Sequence, residues 1–325
     1  MPKFAEQQSR KTPSAIALTD PDKSLTWEQV DEILNRAANL LLDIDLGPKR
    51  RVAVFAENAS ETALAHLGAL FGGCSSVPVN FHLTAEEATY ILKDSESQIL
   101  FVDNITADRG ILAAREAGVK LVIGWNCEDY KQITNWSEWL ETGSPETSPD
   151  KVTPLPNLLY TSGTTGLPKG TELPPTMFAG GSTMTEYIVG LSQSGFANFG
   201  THLVVGPMYH TGPLSGMRLL TLGIPSVILG RFDAESTLAA IEKHKTESAV
   251  MVPTHFVRML ALPDETKKKY DVSSMKFAAH TGAKCPVDVM RSMIDWWGPI
   301  FRDAYGASEV GTVCAITSEE WLDHP

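Results

Sequence analysis

Cysteine is scarce in this chain of 325 residues and poorly spaced for cross-linking. Cys74, Cys127, Cys285 and Cys314 stand far apart, without the paired intervals of a disulfide framework or a zinc site, and read as reduced thiols of a cytosolic protein. Basic runs are equally scarce: none is longer than Lys267-Lys268-Lys269, and the formal net charge is −12. That balance argues against nucleic acid or an anionic membrane as the main partner, while leaving room for a local basic pocket. No apolar run approaches membrane-spanning length. The polar, mixed-charge stretch Met1 to Ser14 has the character of neither a signal peptide nor an anchor. Internal repeats and low-complexity segments are also missing. What remains, 43% hydrophobic and 20% charged, is an ordinary globular composition, long enough for one large domain or two smaller ones.

Hydrophobic periodicity then supplies the elements. Thr26-Trp27-Glu28-Gln29 has the form of a capping box, and Val30, Ile33, Leu34, Ala37, Leu40 and Leu41 follow at helical spacing. Arg51 to Phe55 reads as a buried strand, and Leu64, Leu67, Leu70 and Phe71 mark a helix closed by Gly72-Gly73. Ser76 to Val79 is a strand. A second capping box, Thr84 to Glu87, opens a helix to about Lys93. Strand Ile99 to Val102, helix Ala107 to Ala117 and strand Leu121 to Gly124 follow, before an exposed connection over Thr142 to Pro154. Further on, strands are expected at Leu203 to Val205, Ser226 to Leu229, Ala249 to Val252, Met275 to Ala279 and Ile300 to Ala304. Helices are expected at Leu214 to Leu222, Ala234 to His244, Thr254 to Leu262 and Pro286 to Trp297. Such alternation means βα units and parallel sheet: an α/β protein with two βα-type layers packed on each other. Ligands of these sheets sit in the loops beyond the carboxyl ends of the strands.

The stretch Leu158 to Gly170 is the most informative. A short apolar run, Leu158 to Tyr160, has the character of a buried strand, and Thr161-Ser162-Gly163-Thr164-Thr165-Gly166 follows without one large side chain. Hydroxyls and backbone N–H groups can all approach one ligand there, and Lys169 adds a fixed positive charge. This describes a site for a multiply charged anion, above all a polyphosphate. It is not a Walker A loop: Pro168 stands where the second glycine belongs and Gly170 where the magnesium-binding hydroxyl belongs.

Three more stretches lie at strand ends: Gly206-Pro207-Met208-Tyr209-His210-Thr211-Gly212, His280-Thr281-Gly282-Ala283-Lys284-Cys285-Pro286 and Asp303-Ala304-Tyr305-Gly306-Ala307-Ser308-Glu309. The small residues of the second let backbone approach a flat ligand. With the stretch at Leu158, and in this order, they resemble the motifs of the adenylate-forming superfamily: acyl-CoA and aryl-CoA synthetases, peptide-synthetase adenylation domains and luciferases. The resemblance runs from about Thr26 to Glu309.

It implies the layered α-β-α-β-α fold of that superfamily's N-terminal domain, one AMP-binding domain over residues 1–325 with halves at about 1–155 and 156–325. It implies a phosphate loop at Thr161 to Gly166 with Lys169, and Gly282 and Ala283 against adenine. It further implies a Tyr305 ring stacked on the base, Asp303 and Gly306 in the same nucleotide site, Ser308 at the α-phosphate and Glu309 on magnesium. His210 would pack beside the acid and orient its carboxylate. His210, Glu309 and Lys169 are thus the expected catalytic residues. The chain departs from the family at Thr281, Lys284 and Ser308, and at Thr171-Glu172-Leu173-Pro174-Pro175, where two prolines make a continuing strand unfavourable. Full-length relatives run on into a small barrel and a mobile C-terminal domain carrying an Asp, a hinge and a Lys that drives adenylation. This sequence is therefore expected to be the large N-terminal part.

The activity implied is an acid-thiol ligase. Carboxylate and Mg-ATP give an acyl-adenylate and pyrophosphate, and coenzyme A then displaces AMP. Met208 to Gly216 holds no acid to pair with an amino group, which disfavours an α-amino acid substrate. Fatty and aromatic acids both stay open. Loading of a carrier protein, nucleotide binding without turnover, and a homodimer as the assembly are the other readings the resemblance admits.

Overall fold

A computed structural model describes residues 3–161, 167–174, 178, 181–307 and 310–323. Two mainly parallel sheets dominate it. The larger runs, in spatial order, Gly311–Thr317, Phe301–Ala307, Phe277–His280, Ser248–Met251, His202–Val204, Ser226–Ile228, Ile16–Thr19 and Ser24–Thr26. The smaller runs Ser75–Pro78, Arg51–Phe55, Ile99–Asp103, Leu121–Trp125 and Thr134–Asn135. Inner strands of both are parallel, and antiparallel pairing is confined to the outer hairpins of the large sheet.

Strand geometry sends successive side chains to opposite faces, and here the two faces belong to different cores. Val52 and Val54, with Ile99 and Phe101, point into the layer between the sheets, whereas Ala53 and Phe55, with Leu100 and Val102, point outward. In the large sheet Val204 and Ile228 face the same middle layer, and Leu203, Val205 and Val227 face away from it. The middle layer is built from helices Trp27–Asp43 and Ser60–Phe71, and every residue of the second is buried. Helices Ala85–Ser95 and Ala107–Ala117 cover the outer face of the small sheet, and Ala234–His244, Pro253–Leu260 and Val287–Trp297 cover that of the large one. The result is the α-β-α-β-α layering expected from the sequence.

Local chemistry sets the element ends. Both capping boxes form: Thr26 Oγ1 accepts from Gln29 N at 3.3 Å, Gln29 Oε1 accepts from Thr26 N at 2.9 Å, and Thr84 and Glu87 make the same reciprocal pair. The central helix Ser60–Phe71 has no cap from its own flank; Asp20 Oδ2, from the turn of the first hairpin, accepts from Ser60 N at 2.8 Å. Burial works against that carboxylate, but hydrogen bonds from Ser60, Lys23 and Asp22 outweigh it and hold Asp20 below the ordinary range.

Two stretches assigned from the sequence fold differently. The strand after Leu158 lies in neither parallel sheet: Leu159–Thr161 pairs antiparallel with Lys169–Thr171, half-buried rather than buried. Its approach runs beside the edge strand of the small sheet, where Ser75 Oγ donates to Pro156 O at 2.7 Å and Leu158 N to Ser76 O at 3.0 Å, before turning away. An apolar run of three residues marks extended backbone without saying which strand it pairs with. The expected helix Leu214 to Leu222 is α-helical over Thr211–Met217 and tightens to a 3₁₀ turn over Arg218–Leu222, ending on Gly223 at φ 81°.

Candidate nucleotide and acid site

The parallel strands His202–Val204, Ser248–Met251, Phe277–His280 and Phe301–Ala307 are neighbours in register. Their carboxyl ends therefore open on one edge of the large sheet. The segments 206–210, 281–286 and 303–307 leave that edge side by side, so three of the four motifs singled out in the sequence share one rim.

The first of these segments is held by a residue the sequence reading passed over. Asn58, buried just beyond strand Arg51–Phe55 of the other sheet, donates from Nδ2 to Gly206 O at 2.9 Å and Leu229 O at 3.1 Å. Its Oδ1 accepts from Met208 N at 2.8 Å. One amide thus ties the carboxyl edges of the two sheets together. Beyond this clamp Tyr209 meets Phe81 edge-on, with ring centroids 5.5 Å apart, and His210 lies against Tyr209 at 4.4 Å. His210 stands at the N-cap position of helix Thr211–Met217 and keeps an edge open to solvent, while its crowded side desolvates the imidazole and lowers its pKa. A neutral imidazole at the rim suits packing and hydrogen bonding better than charge pairing.

Gly282, at φ 86°, faces Val252 across enough space for ordinary contact, so its backbone is open to a flat ligand. A side chain on Gly212 would collide with Val250 and approach Thr281, which shows how closely the His210 and Gly282 segments meet. Asp303 lies opposite His280 in the parallel ladder, with Asp303 Oδ1 3.6 Å from His280 Nδ1. Tyr305 presents its ring at 72% exposure from the antiparallel hairpin formed with Gly311–Thr317. The ladder is bulged between Tyr305 and Gly306, and a Cβ on Gly306 would stand 2.3 Å from Gly311 O, so only glycine allows this approach.

Thr161 and Lys169 face each other across the small hairpin, with Lys169 exposed. Tyr160 Oη donates to Asp94 Oδ2 at 2.6 Å and Tyr90 Oη to Pro168 O at 3.0 Å, tying this hairpin to helix Ala85–Ser95. Its chain then reaches the Tyr305 hairpin, where a Cβ on Gly311 would touch Leu173. Ser162, Gly163, Thr164, Thr165 and Gly166, like Ser308 and Glu309, lie outside the described residues. Among the described residues no group of three or more His, Cys, Asp or Glu could hold a metal ion, and no helix is long and apolar enough to cross a membrane.

A layered α/β domain with glycine-opened backbone and an exposed aromatic ring on one sheet edge is the form of a nucleotide-binding domain. The sequence profile of the AMP-binding enzyme family matches residues 5–325, and the chain belongs to that family. Among curated proteins it is 27% identical to a CoA ligase of Mycobacterium tuberculosis named for a methyl-dioxo-octahydroindenyl propanoyl group, over 97% of this chain and 64% of that one. It is 28% identical to indoleacetate–CoA ligase of Aromatoleum aromaticum, over 93% of this chain and 59% of the relative. The chain thus spans about three-fifths of the length of the curated relatives it matches. The N-terminal domain of FACL13 from Mycobacterium tuberculosis, solved with an inhibitor bound, superposes with a TM-score of 0.80 at 23% identity, covering 98% of this chain and 79% of that one. At that identity the likeness is one of fold.

Proposed function

We propose that this chain carries the nucleotide- and acid-binding part of an enzyme that activates a carboxylic acid with ATP, releasing pyrophosphate, and passes the acyl group to coenzyme A. The observation that carries the reading is the shared rim: the His210, Gly282 and Tyr305 segments leave parallel strands of one sheet at the same edge, with Ser248–Met251 between the first two. Tyr305 would stack on the base, with the open backbone at Gly282 and Ala283 against its plane and Asp303 facing its edge. His210, neutral and packed on Tyr209, would orient the acid's carboxylate without competing for it as a cation. The reaction sets one anion against another, so donors must cover the phosphates. Lys169, Ser308 and the backbone and hydroxyls of Thr161 to Gly166 are assigned that role, and Glu309 that of magnesium ligand. Magnesium, when bound, supplies further neutralisation of the phosphate charge.

Both relatives named above are CoA ligases named for acids that carry fused rings, and another relative, from the same organism as the first, is named for medium- and long-chain fatty acids. This supports an apolar acid, cyclic or fatty, over an amino acid. The test is pyrophosphate release with Mg-ATP and a panel of fatty and aromatic acids by the chain extended to the length of its curated relatives, since the 325 residues alone are expected to turn over poorly, beside Lys169→Ala and Glu309→Ala in the extended chain, with ATP binding measured in parallel. Release with a subset of acids, lost in both variants, is the expected result. ATP binding without release for any acid would replace the ligase reading with a nucleotide-binding module. Thioester analysis with coenzyme A and with a carrier protein then assigns the acceptor.

A further inference from the structure

Arg218 is a cation without an anion. It is half-buried where helix Thr211–Met217 tightens into its 3₁₀ turn, and among the described residues no Asp or Glu pairs with it. Its guanidinium lies over the Phe178 ring, 4.6 Å from the centroid, and Phe178 stacks on Tyr187. The buried Tyr187 Oη stands beside Arg218 without a well-formed hydrogen bond among the described residues. Charges taken out of water are normally paired. A guanidinium held in place by an aromatic face keeps its N–H donors free for a partner from outside the chain.

Arg218 lines a small cavity between helices Thr211–Met217 and Ser60–Phe71. Leu67, Leu70, Leu214 and Met217 make the walls apolar, and His66 and Asn157 add two polar groups. The Asn157 amide makes no hydrogen bond among the described residues. His66 is buried, with Nδ1 2.9 Å from Ser76 Oγ, and burial followed by the Arg218 charge lowers its pKa to about 3. The ring is therefore neutral, and the charge of the cavity is that of Arg218. The space is about 240 Å³, counting what opens to solvent, which is less than a whole drug-sized ligand needs. It suits the far end of a ligand anchored elsewhere.

The anchor is at hand on the same helix. His210 stands at its N-cap, and Leu214 and Met217 follow four and seven residues on, along one face. Arg218 comes one residue later, about 12 Å from His210 along the helix at the rise of an α-helix. We propose that the acid whose carboxylate meets His210 carries a second carboxylate at its far end, and that Arg218, with Asn157, reads it. The inference rests on the acid-activating reading above and adds the substrate class, a dicarboxylic acid with an apolar chain. The guanidinium fork takes a carboxylate through two parallel N–H donors, and the chain between the two ends packs on Leu214 and Met217.

Pyrophosphate release by the chain extended to the length of its curated relatives tests this, with Mg-ATP and acids matched in length: octanoic with octanedioic, decanoic with decanedioic, dodecanoic with dodecanedioic. Melting temperatures are recorded for every variant. At the best-fitting length kcat/KM is expected to favour the diacid by about tenfold or more, as for hydrogen bonds between charged groups. Arg218→Met, which keeps an apolar stem and removes the charge, should turn the preference toward the mono-acid, since a carboxylate would then enter an apolar cavity unpaired. Arg218→Lys should keep part of the preference, and Asn157→Leu should lower it severalfold. Preference for the mono-acid at every length, or a preference for the diacid that Arg218→Met leaves unmoved with melting as in the natural chain, overturns the inference and leaves the ligase reading standing. Release with other acids but with neither member of any pair does the same. Should Arg218→Met fail to fold, an unmoved ratio in Asn157→Leu overturns it equally. Absence of release with any acid removes both readings together.

Discussion

Asn58 and Met208, 150 residues apart, are joined by one short hydrogen bond, Met208 N to Asn58 Oδ1 at 2.8 Å, inside a buried amide that also holds the carbonyls of Gly206 and Leu229. The contact positions Tyr209 and His210 from the opposite sheet. Asn58→Ala would leave a buried N–H and two carbonyls to find new partners, a loss of about 3 kcal/mol. Chemical denaturation should show a lower midpoint with an unchanged slope. Asn58→Asp, which sets a carboxylate against both carbonyls, should be worse than alanine. A loss of stability below about 0.5 kcal/mol in both variants would mean that the amide does not act as a clamp.

Three of the buried histidines contribute strongly to the acid limit of the fold. Burial lowers His66 to about 3, helped by Arg218, lowers His202 to about 3, and with Arg258 lowers His255 to about 4. Each stays neutral when folded and takes up a proton near pH 6.5 when unfolded. Between these values the unfolded chain binds more protons, so stability is full above about pH 6.5 and declines as the pH falls. At pH 5 each costs on the order of 2 kcal/mol. His202→Asn preserves a partner for Ser248 Oγ, now 2.9 Å from Nδ1, and cannot titrate. It should flatten the dependence of unfolding free energy on pH by about 1.4 kcal/mol per unit between pH 6 and 4. An unchanged slope would show that folded His202 already accepts the proton.

What was legible in the sequence is what is encoded locally. The capping boxes at Thr26 and Thr84 form as written, because a cap needs only a hydroxyl and a partner three residues on. Most of the expected strand runs stand within a residue or two of their places, since a stretch such as Val52 to Phe55 can bury both faces only between two helical layers; Phe301–Ala307 runs three residues further than expected, and the outer strands Ile16–Thr19, Ser24–Thr26 and Gly311–Thr317 were not expected. What escaped is encoded in pairing. Nothing near Asn58 says that its partners are Met208, Gly206 and Leu229, and nothing in Leu158 to Tyr160 says that its partner strand comes eight residues later instead of in a sheet. His280 could be read as part of a small-residue stretch, but its opposition to Asp303 depends on the register of two strands separated by a helix. The acidic and hydroxyl residues most tied to chemistry, Ser308 and Glu309, rest on the motif alone.

Two glycines should respond to alanine with opposite signs. Gly190 lies within helix Met184–Ser192, and a Cβ added there would meet nothing within 4 Å, so Gly190→Ala gains helix propensity at no steric cost, about 0.5–1 kcal/mol. Gly306→Ala would drive a methyl into the backbone oxygen of Gly311, and backbone cannot swing aside as a side chain can. The bulge must open, carrying Tyr305 with it. Thermal melting should place Gly190→Ala above and Gly306→Ala below the natural chain, with nucleotide affinity reduced about tenfold or more only in the second, as for a lost stacking platform and its contacts. Undiminished affinity in Gly306→Ala would detach Tyr305 from the base.

The hairpin that carries Lys169 hangs on two phenols. Tyr160 Oη donates to Asp94 and Tyr90 Oη to the carbonyl of Pro168, tying both strands of the ladder to one helix. Burial, and then the Asp94 hydrogen bond and charge, raise the Tyr160 pKa well above the ordinary phenol range, so the proton stays on the oxygen and the bond persists across the physiological range. Tyr160→Phe removes this bond and leaves the packing of the ring on Gly170 in place. The ladder from Leu159 to Thr171 should then open more often, with amide exchange at Thr161 and Thr171 about fivefold faster, as about 1 kcal/mol of local stability is lost. The midpoint of global unfolding should move much less, because the two-stranded ladder lies outside both parallel sheets. Unchanged exchange at these amides would mean that the Tyr160 bond to helix Ala85–Ser95 does not hold the hairpin.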